Sequence, residues 1–179
     1  MSQNCLVKGT LITLENAATK KIENLKVGEK LLSYSIEGLE NTQDKNALGK
    51  TKVKEFEGEF SYQLIKNIWK NKFERYYKIN DILDITGDHF VICQKQRKNE
   101  YYWIKVYDLR VGDLLFKLDG SFENVNNIEL IKEEKSFYNI EVNSIFSYFA
   151  QGYLVHNGTA CSSTACNTCY NLGDSEEDF

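Results

Sequence analysis

Nine residues of this chain occur twice in related form, and that repeat narrows what it can fold into more than any other feature. Asn24-Leu25-Lys26-Val27-Gly28-Glu29-Lys30-Leu31-Leu32 and Asp108-Leu109-Arg110-Val111-Gly112-Asp113-Leu114-Leu115-Phe116 share Leu, a basic residue, Val, Gly and an acid in register. Two copies cannot make a solenoid. They fit two related halves folded about a pseudo-twofold axis, or a single kind of turn used twice with Gly where φ must be positive.

Around the copies the residues are of strand type. Lys30 to Ser35, Tyr76 to Ile79, Ile82 to Ile85, Phe90 to Gln94 and Tyr101 to Val106 are short and rich in β-branched or aromatic residues, with Gly, Asn and Asp between several of them. Gln96-Arg97-Lys98-Asn99 has the composition of a hairpin turn joining the last two. Helical periodicity is weak: Gln63 to Lys72 is the one modest candidate, and it fits a strand equally well. The polar stretch Glu37 to Glu59 reads as a loop or a long solvated hairpin. An all-β fold is expected. With 179 residues, 42 % hydrophobic and 13 % aromatic, one well-cored domain is expected rather than two small ones or a disordered chain.

Charge and hydropathy remove several classes of function. The net charge of −4 arises from both signs interspersed, which leaves no basic stripe for nucleic acid. No apolar run approaches the roughly 18 residues of a membrane span, and Met1-Ser2-Gln3-Asn4 is too polar to open a signal peptide. The expected setting is the cytosol, where thiols stay reduced. The expected state is a monomer with neither a membrane nor a nucleic-acid partner.

Chemistry concentrates at three places. His156-Asn157 closes the run Phe149-Ala150-Gln151-Gly152-Tyr153-Leu154-Val155. An asparagine amide can attack its own backbone carbonyl, close a five-membered succinimide and cut the chain after itself, and a neighbouring imidazole can supply the proton transfers. The dipeptide alone means little, and Asn157-Gly158 can age this way without any fold. A cysteine near the start, Cys5, and Thr86-x-x-His89 in the middle complete a set. The chain has only two histidines, and both belong to that set.

These residues lie in blocks. The first is Cys5-Leu6-Val7-Lys8-Gly9-Thr10-Leu11-Ile12, followed by Lys21 to Glu29; the second is Ile85-Thr86-Gly87-Asp88-His89-Phe90-Val91; the last runs from Phe137-Tyr138-Asn139-Ile140-Glu141-Val142 to His156-Asn157. In this order and approximate spacing they resemble the self-processing domains of inteins and bacterial intein-like proteins, with hedgehog autoprocessing domains as more distant relatives. The resemblance covers nearly all of Cys5 to Asn157. It implies an all-β horseshoe of the hedgehog–intein (Hint) type, built of two β-subdomains related by a pseudo-twofold axis, and so favours duplication as the source of the repeat. It implies an autoprocessing domain over 5–157, with no room for a homing endonuclease, between an N-terminal flank at 1–4 and a C-terminal flank at 158–179. The second flank is small and polar up to Cys169 and acidic from Gly173 to Asp178, in keeping with a flexible segment outside the domain.

The resemblance also implies roles. Cys5 would attack the carbonyl carbon of Asn4 and turn the Asn4–Cys5 amide into a thioester, an uphill exchange that needs oriented attack and a weakened amide. His89 would protonate the scissile amide, a task that suits imidazole near neutral pH, and Thr86 would support the oxyanion or orient the amide. His156 and Asn157 would make the second cut at Asn157–Gly158, where Gly158 hinders ring closure least. No cofactor or metal is expected. The partners are the chain's own flanks in cis, with external thiol, amine or water as acyl acceptor.

Three positions depart from the family pattern. Splicing inteins carry Cys, Ser or Thr after the terminal Asn, and Gly158 offers no side chain to capture the acyl group. Thr159 and Cys161 are the nearest possible acceptors, through a longer and looser ring. In this the chain resembles bacterial intein-like domains, in which the thioester is released by water, thiol or amine; the freed amine of Gly158 could still attack it and ligate the flanks. Asn139 stands where many splicing inteins have an Asp, and Phe146 where many have a histidine supporting cyclisation; Glu141 would be the candidate substitute carboxylate. Two other readings stay open. One is a cysteine hydrolase acting in trans through Cys5 and His89, which would want a cleft and an activating neighbour. The other is an inactive β interaction module with a Cys-rich tail, although Cys161-x4-Cys166-x2-Cys169 offers three ligands where structural zinc takes four.

Overall fold

The computed structural model describes residues 4–157 and 170–171. Its first half runs β1 (Leu6–Val7), β2 (Leu11–Thr13), β3 (Thr19–Lys21), a 3-10 turn at Ile22–Asn24, β4 (Lys30–Ile36), β5 (Gly58–Phe73) and β6 (Tyr76–Ile79). The second half repeats the plan with β7 (Leu83–Ile85), β8 (Phe90–Gln94), β9 (Tyr101–Lys105), a 3-10 turn at Val106–Asp108, β10 (Leu114–Phe116), β11 (Phe122–Asn124), β12 (Ile128–Ile131) and β13 (Lys135–Val142). A hairpin of β14 (Ser147–Ala150) and β15 (Tyr153–His156) follows, and β16 (Tyr170–Asn171) pairs with β5.

The repeated segment is one device built twice. In each copy the leucine after the 3-10 turn donates its N–H back, Leu25 to Ile22 at 3.3 Å and Leu109 to Val106 at 3.1 Å. Lys26–Glu29 and Arg110–Asp113 then close four-residue turns at 3.2 and 3.1 Å. Gly28 at φ 88° and Gly112 at φ 93° take the third place of those turns, the φ a type II turn demands of that residue. The acid locks each turn by accepting from its first N–H: Glu29 from Lys26 at 2.7 Å, Asp113 from Arg110 at 2.9 Å. The shared leucine, basic residue, glycine and acid thus each have a counterpart in the other turn, while Val27 and Val111 are exposed in both.

The strand pairings repeat as well. β4 pairs with the first part of β5 as β10 pairs with β11, and Leu31 bridges Leu14 as Leu115 pairs with Cys93. Beyond those pairs the halves exchange strands: the rest of β5 pairs with β13, and β12 pairs with β6. β1 and β7 meet through Leu6 and Ile85. The sheet therefore reads β12-β6-β7-β1-β13-β5-β16, and β16 aside it runs outward alike from the β7–β1 contact. That order is the signature of a pseudo-twofold axis, so the repeat marks two related halves rather than a reused turn. The β14–β15 hairpin has no mate and lies between β2 and β8, through Ala150–Ile12 and Val155–Val91.

The main core draws on both halves and the hairpin, with Leu6, Leu31, Ile85, Leu115, Tyr148 and Val155 all within it. Gln63 to Lys72 lies wholly within β5, the strand alternative of the two. Its mixed periodicity has a cause: the pairing of β5 with β13 slips at Glu141/Val142. The extra residue, Lys66, lets Ile65 and Ile68, each 2 % exposed, share one face although an odd number apart. The 37–57 stretch is a loop, but not merely a solvated one. Leu39 and Leu48 are buried in the second core cluster, and Val53 bridges to Tyr101.

Candidate functional site

The site forms at the axis because antiparallel pairing puts the residue before one strand opposite the residue after its partner. With Leu6 on Ile85, Cys5 faces Thr86. The Cys5 N–H donates to Thr86 Oγ1 at 2.9 Å, the Thr86 N–H donates to the Cys5 carbonyl at 3.0 Å, and the Thr86 hydroxyl reaches that carbonyl at 3.3 Å. The amide nitrogen of the Asn4–Cys5 bond is thus gripped by Thr86. The Cys5 side chain packs with Tyr76 and Phe137, and Asn71 Nδ2 donates to its sulfur at 3.7 Å. Cys5 is 0 % and Asn4 1 % exposed.

Thr86 and His89 are the first and last residues of a four-residue turn, closed by the His89 N–H on the Thr86 carbonyl at 3.1 Å. The Thr-x-x-His spacing is therefore turn spacing, which brings both ends to one place. Asp88 is in this turn and not on a strand. Its carboxylate turns away to Lys105 at 3.4 Å. His89 is fully buried, and its Nε2 lies 2.6 Å from the His156 carbonyl. A carbonyl only accepts, so Nε2 carries the proton. Burial pushes the imidazole down to about 3, against the pull of the His156 and Cys5 backbone, so the ring is neutral at pH 7. Nδ1 has no partner of hydrogen-bond geometry among the described residues. It keeps a lone pair on a ring that adjoins the Cys5 backbone.

The second junction ends β15. The Asn157 N–H donates to the Phe146 carbonyl at 2.6 Å, and its side-chain Nδ2 donates to the Val142 carbonyl at 3.1 Å, where β13 slips in register. The Asn157 carbonyl oxygen accepts from His156 Nδ1 at 3.1 Å and from Asn4 Nδ2 at 3.4 Å. Burial first of all holds His156 down, to about 4, so it too is neutral and donates from Nδ1. The Trp103 ring meets His156 edge-on at 5.2 Å. Phe146 supplies a backbone acceptor to Asn157 and a ring 6.3 Å from His156, and no proton relay. Asn139 is buried on β13 opposite Trp69, on the same face as Phe137 and, across the strand, Asn71. Glu141 accepts from Asn67 at 2.6 Å and Gln43 at 3.4 Å.

The structure thus brings Asn4, Cys5, Thr86, His89, His156 and Asn157 together. Gly158, Thr159 and Cys161, with Cys166 and Cys169, lie outside the described residues. Three contributors were not legible in the sequence. Asn71 comes from β5; Asn4 contributes its side chain as well as its carbonyl; and Lys45 comes from the 37–57 loop, with Nζ 3.4 Å from Asn4 Oδ1. Lys45 also lowers both imidazoles by its charge, and the Thr42 backbone raises His156. The hints that this loop packs inward are Leu39, Leu48, Val53 and Phe56 within a polar run. Among the described residues, no three His, Cys, Asp or Glu side chains gather to hold a metal, and no helix is long and apolar enough to cross a membrane.

No family model and no curated protein matches the chain in sequence. Solved structures do match in fold. The solution structure of a bacterial intein-like domain from Clostridium thermocellum aligns with a TM-score of 0.63 at 19 % identity, covering 86 % of this chain and 98 % of that one. The crystal structure of the gp41-1 intein aligns at 0.60 and 20 % identity, covering 86 % and 98 %. That of the TvoVMA intein aligns at 0.62 and 15 %, again covering 86 % and 98 %. At such identities the likeness is one of architecture, and the architecture of this chain is the Hint fold of inteins and bacterial intein-like domains.

Proposed function

We propose that this domain processes itself, cutting at Asn4–Cys5 and at Asn157–Gly158. The observation that carries the reading is the meeting of two bonds far apart in sequence: the Asn4 amide touches the Asn157 carbonyl at 3.4 Å, and His89 holds the His156 carbonyl beside Cys5. The domain would be residues 5–157, with flanks at 1–4 and 158–179. In the first step the Cys5 thiolate adds to the Asn4 carbonyl carbon. The C–S bond forms, the C–N bond breaks, and the thiol proton passes through His89 Nδ1 to the Cys5 nitrogen. Thr86 orients that nitrogen, and Asn71 offers a donor to the sulfur.

In the second step Asn157 Nδ2 adds to its own carbonyl carbon, with the oxygen held by His156. The bond to Gly158 breaks, a succinimide remains at 157, and a proton from Nδ2 ends on the Gly158 amine. Gly158 has no side chain to capture the acyl group, so the Asn4 thioester leaves to water, to an external thiol or to the new Gly158 amine. The full burial of Cys5 favours cis chemistry over a hydrolase acting in trans, which needs its thiol open to a second chain. Cys5→Ala is expected to abolish thiol-induced release of the N-terminal flank while leaving the C-terminal cut. Thiol-dependent release that survives in this variant sinks the assignment of Cys5.

A further inference from the structure

If Asn157 cyclises as proposed, its carbonyl oxygen gains negative charge, and donors already aimed at that oxygen lower the barrier. Two are in place: His156 Nδ1 at 3.1 Å and Asn4 Nδ2 at 3.4 Å. The second does not belong to the domain proper. Asn4 is the flank residue that the other cut removes. An amide can present either end, and here Lys45 Nζ takes Oδ1 at 3.4 Å, which leaves the NH2 end for Asn157. A cation on Oδ1 also polarises the amide and makes its N–H a better donor. Asn4 is 1 % exposed, so neither contact competes with bulk water.

We infer that Asn4 is a catalytic residue of the C-terminal cut, with Lys45 its positioning residue, so that the N-terminal flank must still be attached for Asn157 to cyclise at full rate. Asn4 donates only a hydrogen bond; the bonds made and broken are those of the cyclisation itself. Asn4 is present whether it is joined to Cys5 as amide or as thioester, and is lost once thiol or water releases it. The consequence is an order of events. The Gly158 amine is produced while an Asn4 acyl group is still there to receive it. In a chain whose Gly158 lacks a nucleophilic side chain, that order favours joining the flanks over losing them.

The test uses the full chain in the Cys5→Ala background, where no thioester forms, and follows the C-terminal cut by intact mass against a urea-unfolded control. Asn4→Ala and the near-isosteric Asn4→Asp, which keeps a partner for Lys45 but has no N–H, should each slow the folded-state cut about tenfold. That is less than the roughly hundredfold that a short oxyanion donor is worth, because the contact is 3.4 Å long. Lys45→Met should slow it in the Asn4 parent but add nothing to Asn4→Ala, a non-additivity that mere loss of packing at Lys45 would not give. Unchanged rates in both Asn4 variants, beside a parent that cuts, overturn the inference and leave the proposed function standing. A parent that cuts no faster folded than unfolded overturns both.

Discussion

Neutral imidazole is a donor at one nitrogen and a lone pair at the other, and at both histidines the donor end is taken by a carbonyl: His89 Nε2 on His156, and His156 Nδ1 on Asn157. The remaining nitrogens, His89 Nδ1 and His156 Nε2, have no hydrogen-bond partner among the described residues. Burial holds both rings neutral, at a cost in stability when acid forces protons on the chain. The native values lie near 3 for His89 and 4 for His156, both depressed by burial from 6.5. As pH falls below about 6.5 the unfolded chain binds protons that the native chain refuses, so stability is full above that value and declines towards pH 4. The slope is at most about 1.4 kcal/mol per pH unit for each histidine. Urea unfolding at pH 7 and pH 5 should show the decline, and a His89→Gln/His156→Gln variant should flatten it. At this scale the sequence was informative where residue type and spacing coincide. Cys5, Thr86, His89, His156 and Asn157, which the structure brings together, could be picked out because reactive side chains are few and each stood in an ordered block. Asn4, Asn71 and Lys45 could not, because a lone Asn or Lys carries no pattern and only the register of β5 and the folding back of the loop bring them in.

The turn that occurs twice is the element on which the plan of the molecule rests. Gly28 and Gly112 sit at φ 88° and 93° with open space where a Cβ would go at Gly28 and only the flexible Gln96 side chain near Gly112. A substitution there is disfavoured by backbone conformation rather than by crowding. Gly28→Ala and Gly112→Ala should each cost about 1–2 kcal/mol, read as equal shifts in urea midpoint with unchanged slope. Markedly unequal losses would mean that the two turns are not equivalent. The repeat was readable because a turn writes its needs into consecutive residues: Gly for φ, an acid to cap, a Leu to bury. The two-residue strand β1 was not, because nothing local makes Leu6–Val7 a strand; it exists because β7 and β13 lie on either side of it. The inward packing of the 37–57 loop was not legible for the same reason. Its polar residues meet partners, such as Glu141 for Gln43 and Asn4 for Lys45, that lie far away in sequence.

For the whole molecule, duplication about an axis explains why the site is where it is. Exchange of β5 and β12 between halves locks the two together, and the β7–β1 contact at the centre places Cys5 against Thr86. The unpaired β14–β15 hairpin then delivers His156 and Asn157 to the same spot from between β2 and β8. Self-cleavage fits such a plan, because both ends of the folded unit return to the axis while buried from water. The measurement that tests this most directly is intact mass over time for the chain with a longer reporter upstream of Cys5, with and without dithiothreitol, beside a denatured control. The account predicts folded-state-dependent loss of both flanks, thiol-accelerated at Asn4–Cys5 and requiring no thiol at Asn157–Gly158, with joined flanks appearing as a distinct mass when thiol is withheld. A mass that stays unchanged over days while the protein remains folded would contradict it.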